Sequence, residues 1–170
     1  MDLKRIIRDV PDFPKPGILF RDITPILADP AAFGAALDGL ERHVRTLPCD
    51  RLAAVESRGF LFAAPLAARL GRGLAILRKP GKLPAATVAE RYALEYGEGT
   101  LQIHTDAVKP GERVVVVDDL LATGGTAAAA GRLVRRLGGL VSSYVFVIEL
   151  ADLGGRAQLT DGPVFSLVKY

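Results

Sequence analysis

Residues 114–126 read Val-Val-Val-Val-Asp-Asp-Leu-Leu-Ala-Thr-Gly-Gly-Thr, and few stretches of the chain place so many reactive groups in one turn. Four β-branched residues predict a buried strand, and Asp118 and Asp119 come where that strand would leave a sheet. Thr123-Gly124-Gly125-Thr126 then leads into a helical pattern. Glycines let a backbone approach a ligand closely, and the N–H groups of a first helical turn have no partner inside the helix. With the helix dipole they form a phosphate cradle, to which the two threonine hydroxyls and the Ala122 backbone add. Adjacent carboxylates repel phosphate but accept hydrogen bonds from neutral hydroxyls. A phosphate with a diol beside it, as in ribose 5-phosphate, satisfies both halves.

Two further clusters follow predicted strands. Ser57-Arg58-Gly59 comes after the apolar run 52–55, and a guanidinium fork among small residues suits a pyrophosphate. Arg78, Lys79 and Lys82 come after the run 74–77, where three cations in five residues fit a clamp on the same group. Each cluster also reads as an ordinary solvated turn. Two other nucleotide motifs are missing: Gly81-Lys82 is followed by Leu83, so no G-x-x-x-x-G-K-[ST] occurs, and no strand ends in G-x-G-x-x-G. A phosphate-loop NTPase and a dinucleotide dehydrogenase are thereby disfavoured. His43 and His104 stand apart with no ligand pattern around them, and the single Cys49 permits neither an internal disulfide nor a cysteine metal cage.

The elements that must hold these loops alternate. Leu3, Ile6, Ile7 and Val10 suggest a short helix, and a Pro-rich segment after it should be extended. Asp29-Pro30 predicts a helix start, followed by Phe33, Leu37, Leu40, Val44 and Leu47 at spacings of four and three. Strands at 52–55, 74–77, 114–117 and 144–150 alternate with helices at 60–70 and from Gly124-Gly125 to Gly138-Gly139. Continuously apolar strands between helices imply an α/β fold with a central parallel sheet, whose ligands bind outside the carboxyl ends of the strands. Residues 82–104 show weak periodicity, which predicts an irregular stretch of the kind that serves as a lid.

Composition narrows the class. The 170 residues are 49% hydrophobic and 24% charged, with net charge +3 and a sequence pI of about 9.2. One domain over residues 1–170 is expected. The basic residues form no block and aromatics are only 6%, which argues against nucleic acid and fits an enzyme of anionic small molecules. No apolar run reaches the roughly 18 residues of a membrane helix, and Met1-Asp2-Leu3-Lys4-Arg5 lacks the apolar core of a secretory leader. A cytoplasmic location with no membrane partner is expected.

The 114–126 string resembles the PRPP-binding motif of type I phosphoribosyltransferases. Blocks along nearly the whole chain resemble the adenine-specific branch of that family: Pro11 through Gly17, Phe20-Arg21-Asp22, Glu56-Ser57-Arg58-Gly59-Phe60, Arg78 through Pro84, Tyr92 through Gly97, and Phe165-Ser166-Leu167. The resemblance implies the type I fold, with helices flanking the parallel sheet, a small N-terminal hood mainly of residues 1–30, and a mobile loop at about 82–104. It implies transfer of ribose 5-phosphate from PRPP to adenine, giving AMP and pyrophosphate in purine salvage. Mg²⁺ would arrive with PRPP, bound through pyrophosphate and water with no direct protein ligand, and a homodimer is expected.

The same resemblance assigns residues. Ala122, Thr123, Gly124, Gly125 and Thr126 would take the 5-phosphate, and Asp118 and Asp119 the ribose diol. Ser57 and Arg58, in a family often carrying a cis peptide between those positions, would take pyrophosphate with Arg78, Lys79 and Lys82. Phe20 would stack on the purine, backbone groups of Leu19 and Arg21 would bind its edge, and Leu120 would close the other face; core packing is the ordinary role of Phe20 and Leu120 and stays open. Glu95 would assist proton transfer at the base. Enzymes of 6-oxopurines place a lysine after the PRPP motif, whereas residues 144–150 contain none and carry Glu149, which favours adenine over xanthine, hypoxanthine or guanine. A non-catalytic PRPP-binding regulator would need a DNA-binding module for which the catalytic fold leaves no chain.

Overall fold

The computed structural model describes residues 1–93 and 97–170, in two compact units, 1–39 and 40–170. The first unit holds β1 (Arg8–Pro11) and β2 (Leu19–Asp22), an antiparallel ribbon with Val10 opposite Phe20. Only a 3₁₀ turn, Leu3–Arg5, stands where the early apolar residues predicted a helix. The ribbon wins because Arg21 pairs across it with Asp9, and Arg8 lies 3.5 Å from Asp22. The bend between the strands uses Asp12 in the left-handed region, its carboxylate accepting from Gly17 N–H at 2.7 Å, and a cis Phe13–Pro14 bond.

Helix α1 (Thr24–Ala28) is capped by Asp22, which accepts from Thr24 N–H at 2.9 Å. Helix α2 (Pro30–Val44) begins where Asp29-Pro30 predicted, Asp29 accepting from Ala31 and Ala32 N–H at 2.8 and 3.2 Å.

The second unit is built on five strands: β3 (Arg51–Val55), β4 (Gly73–Leu77), β7 (Arg113–Leu121), β8 (Leu140–Glu149) and β9 (Val164–Lys169). Their order is β4-β3-β7-β8-β9, every pairing parallel, as the continuous apolar runs implied. Helix α3 (Gly59–Leu70) connects β3 to β4 on one side, and α4 (Gly125–Arg136) connects β7 to β8 on the other. The chain thus leaves the neighbouring strands β3 and β7 in opposite directions. That opens a crevice at their carboxyl ends, where α/β sheets receive ligands.

Most of the described residues of 82–104 are strand rather than irregular. β5 (Thr87–Ala93) and β6 (Glu98–His104) form an antiparallel ribbon, joined to the sheet where Arg78 and Gln102 exchange backbone hydrogen bonds of 2.9 and 2.7 Å. The ribbon lies along α4, where Glu90 meets Arg132 Nε at 2.6 Å and Ala89 O accepts from Arg136 at 3.1 Å. Its alternation of half-buried Val88, Glu90 and Tyr92 with exposed neighbours is too polar to read as a core strand. Among the described residues, no helix is long and apolar enough to cross a membrane.

Candidate active site

Two helix N-termini meet at the crevice. Strand β3 ends at Val55, and Glu56-Ser57-Arg58 turns at once into α3. Strand β7 runs on through both aspartates to Leu121, and Ala122-Thr123-Gly124 turns into α4. The positive ends of both helices face the crevice, although in α3 Phe60 and Leu61 N–H already donate to the Ser57 and Arg58 carbonyls at 3.2 and 3.1 Å, so the crevice suits an anion extended between two sites. An open pocket of about 430 Å³ occupies it, lined by Ser57, Arg58, Lys79 and Tyr92 and by residues 118–127.

The α4 loop has its shape because two glycines permit it. Gly124 lies at φ +86°, a backbone that side chains rarely adopt. A Cβ on Gly125 would stand 2.6 Å from Ala93 O, so the β5 backbone closes directly over the first residue of α4. This contact also brings Tyr92 to the pocket wall.

Charge is arranged asymmetrically. Arg58 Nε lies 2.9 Å from Asp119 Oδ2, and Asp119 N–H donates to Asp118 Oδ1 at 2.9 Å. Burial pushes the Asp118 carboxyl well above the usual carboxylate range, and the Asp119 charge beside it pushes the same way. Burial raises Asp119 too, against the pull of Arg58. Asp119 Oδ2 is buried against the Arg58 guanidinium, without an aligned hydrogen bond among the described residues.

Glu56 organises the other wall. Its Oε2 accepts from Lys79 N–H at 2.8 Å and from Arg78 Nε at 3.3 Å, and the Lys79 hydrogen bond is the main reason its carboxyl lies below the usual range. Arg78 also reaches Lys82 O at 3.3 Å.

The pocket therefore gathers Ser57, Arg58, Lys79, Asp118, Asp119, Leu120 and the whole of 122–126. Arg78 and Lys82 do not line it: Arg78 turns to Glu56, and Lys82 sits exposed beyond the turn. Leu19, Phe20 and Arg21 lie on β2 in the first unit, where Phe20 packs edge to face on Phe13 with ring centres 5.1 Å apart. Glu95 lies outside the described residues. The cis peptide joins Glu56 to Ser57, one residue before the position that the resemblance implied. Sequence reasoning did not assign roles to Glu56 and Tyr92. An acid following a buried strand was a usable signal for the first, whereas the second depends on the packing of a ribbon that was not foreseen.

Residues 38–165 match the sequence profile described as the phosphoribosyl transferase domain. An adenine phosphoribosyltransferase of Anaeromyxobacter dehalogenans is 56% identical over 164 residues, 96% of this chain and 95% of its own length. The crystal structure of adenine phosphoribosyltransferase from Thermoanaerobacter pseudethanolicus is 53% identical, with a TM-score of 0.97 over 99% of this chain and 98% of that one. The Saccharomyces cerevisiae enzyme, solved with an imino-altritol bisphosphate and adenine, is 42% identical, with a TM-score of 0.91 over 98% and 96% of the two chains.

Proposed function

We propose, from the premise that this chain belongs to the phosphoribosyl transferase family, a division of labour within its pocket. The reaction is transfer of ribose 5-phosphate from PRPP to adenine, giving AMP and pyrophosphate. The bond from the anomeric carbon to pyrophosphate breaks, a base nitrogen bonds to that carbon, and the base gives up its proton. The observation that carries the assignment is the convergence of two helix N-termini on one crevice with a buried aspartate pair between them.

The 5-phosphate is assigned to residues 122–126 at the start of α4. The diol is assigned to Asp118 and Asp119, since carboxylates accept from hydroxyls. Pyrophosphate is assigned to Ser57, Arg58 and Lys79, with Arg78 and Lys82 as flanking cations. As it departs, positive charge grows on the sugar, and the two carboxylates beside the ring stabilise it. Phe20, with backbone groups of Leu19 and Arg21, is assigned the purine; Leu120 is assigned one of its faces, and Glu95 its proton.

Mg²⁺ would be carried in by PRPP, held by pyrophosphate oxygens and water, and the acidic pair would meet it through that water. Among the described residues no three acidic, histidine or cysteine side chains converge into a metal cage, so the ion's own ligands would be substrate oxygens and water. Its contribution would be to neutralise the charge of the leaving pyrophosphate. A homodimer working in the cytoplasm completes the proposal, on the resemblance to the family.

Pyrophosphate release measured with PRPP and Mg²⁺ against adenine, hypoxanthine, guanine, xanthine and orotate tests the reading. Turnover with adenine alone is expected; turnover with a 6-oxopurine would overturn the base assignment. A finer expectation concerns Glu56. Glu56→Ala releases the Lys79 turn, and losing charge-assisted hydrogen bonds near the surface costs roughly 1 kcal/mol, about fivefold in affinity. In the reverse direction KM for pyrophosphate should rise by that factor while KM for AMP holds, and an unchanged pyrophosphate KM would remove Glu56 from the site.

A further inference from the structure

Behind the loop assigned to the 5-phosphate stands a wall that takes no part in lining the pocket. Glu149 ends β8, in register with Leu121 on one side and Lys169 on the other. Its side chain is only 5% exposed, and it accepts from Arg156 Nε at 2.9 Å, Arg156 Nη2 at 2.5 Å and Ser166 Oγ at 2.6 Å. Arg156 Nη1 also donates to Val164 O at 2.7 Å. Three donated bonds from one guanidinium thus pin the 3₁₀ turn Gly155–Gln158 to the last residue of β8 and the first of β9.

That turn is pressed against the loop. A Cβ on Gly155 would stand 2.1 Å from Ala122 O and 2.8 Å from Gly124 N, and a Cβ on Gly124 would stand 2.3 Å from Gly155 O. Two backbones therefore touch without side chains between them, and a displacement of one is a displacement of the other.

We infer that Arg156, oriented by Glu149, is a positioning residue for PRPP: it fixes the turn that sets the height of residues 122–124 in the pocket. A bidentate guanidinium–carboxylate pair fixes direction as well as distance. Arg156 is 41% exposed but Glu149 only 5%, so Arg156→Gln leaves a buried carboxylate short of its main partner, and some loss of Tm is expected beside the kinetic effect. The selectivity of that effect for PRPP over adenine is what separates positioning from general destabilisation.

The inference rests on the phosphate assignment of 122–126, and the two are tested separately. Arg156→Gln should raise KM for PRPP about tenfold, the scale of effect of a sub-ångström misplacement, leaving kcat and KM for adenine within about twofold. Arg156→Lys, which keeps the charge but not the fork, should fall between wild type and Arg156→Gln. Glu149→Gln combined with Arg156→Gln should be no worse than either alone, because both act through one contact. An unchanged KM for PRPP, an equal rise in both KM values, or additive effects in the double variant would overturn the inference. Thr126→Ala is the separate check: if it leaves KM for PRPP unchanged, the phosphate assignment itself fails. If it raises that KM while Arg156→Gln does not, only the positioning role fails.

Discussion

Gly59→Ala is expected to lower kcat/KM by about two orders of magnitude while the protein still folds. Gly59 opens α3 directly above the end of β7, and a Cβ there would stand 2.8 Å from Asp118 Oδ1, 3.0 Å from Val117 O and 3.1 Å from Asp118 Cα. Two of those three atoms belong to the backbone of a strand whose valines are wholly buried, so they cannot retreat. Either residues 57–59 rise away from the sheet or the Asp118 carboxylate swings aside. The first moves the pyrophosphate donors and the second moves an acceptor for the ribose, and each lengthens the distance between the two halves of the site. Overpacking of this kind costs roughly 1–3 kcal/mol of stability, less than a domain of this size commonly has. Steady-state kinetics beside thermal unfolding will show it. Gly34→Ala in α2, where an added Cβ meets nothing within 4 Å, is the control and should leave activity unchanged. If Gly59→Ala retains kcat/KM within about threefold, an allowance well below the misplacement penalty, the two loops are not held in register by this contact.

The fold was legible where burial is complete and illegible where pairing depends on partners distant in the chain. Val114 to Val117 announce a strand because both faces are covered, and Asp29-Pro30 announces a helix because a cap is a local device. The β1–β2 and β5–β6 ribbons are two-stranded, so they carry charged and half-buried residues such as Arg8, Asp9, Glu90 and Arg91 that no periodicity marks as strand. Strand β9 went unread as an element for a similar reason: most of its residues are only half-buried. The site followed the same division. Residues 118–126 are contiguous, so their gathering at one pocket could be read from order alone. Arg78 shows the limit: its place after β4 is local, whereas its contact with Glu56, twenty-two residues earlier in the chain, is named by no local pattern. Glu149 is legible in the sequence only as a residue that is not lysine; that it anchors Arg156 depends on Ser166, Val164 and a 3₁₀ turn that lie apart in the chain.

The Asp118–Asp119 pair makes the sharpest demand on the ligand-free protein. A carboxyl whose folded pKa is raised favours folding while it is protonated in both states, below its unfolded value of about 4, and that contribution is lost as pH rises through the folded value. Burial and the neighbouring Asp119 charge put Asp118 in this position, so at neutral pH an ionised Asp118 works against the fold. Asp118→Asn keeps the shape and the carbonyl acceptor for Asp119 N–H, and it removes the charge. The variant should therefore melt higher than the wild type at pH 8, with the difference shrinking towards zero as pH falls well below about 4, where the wild-type carboxyl is protonated in both states. Its kcat/KM should fall about a thousandfold, because the carboxylate beside the sugar is lost at the moment positive charge develops there. Melting curves from below pH 4 to pH 8, read beside kinetics at saturating adenine, separate the two effects. A variant that melts lower than wild type at pH 8 would show that the pair holds the loop rather than straining it. A variant that melts higher and still turns over would remove Asp118 from the chemistry and leave Asp119, already partnered by Arg58, as the carboxylate that meets the ribose.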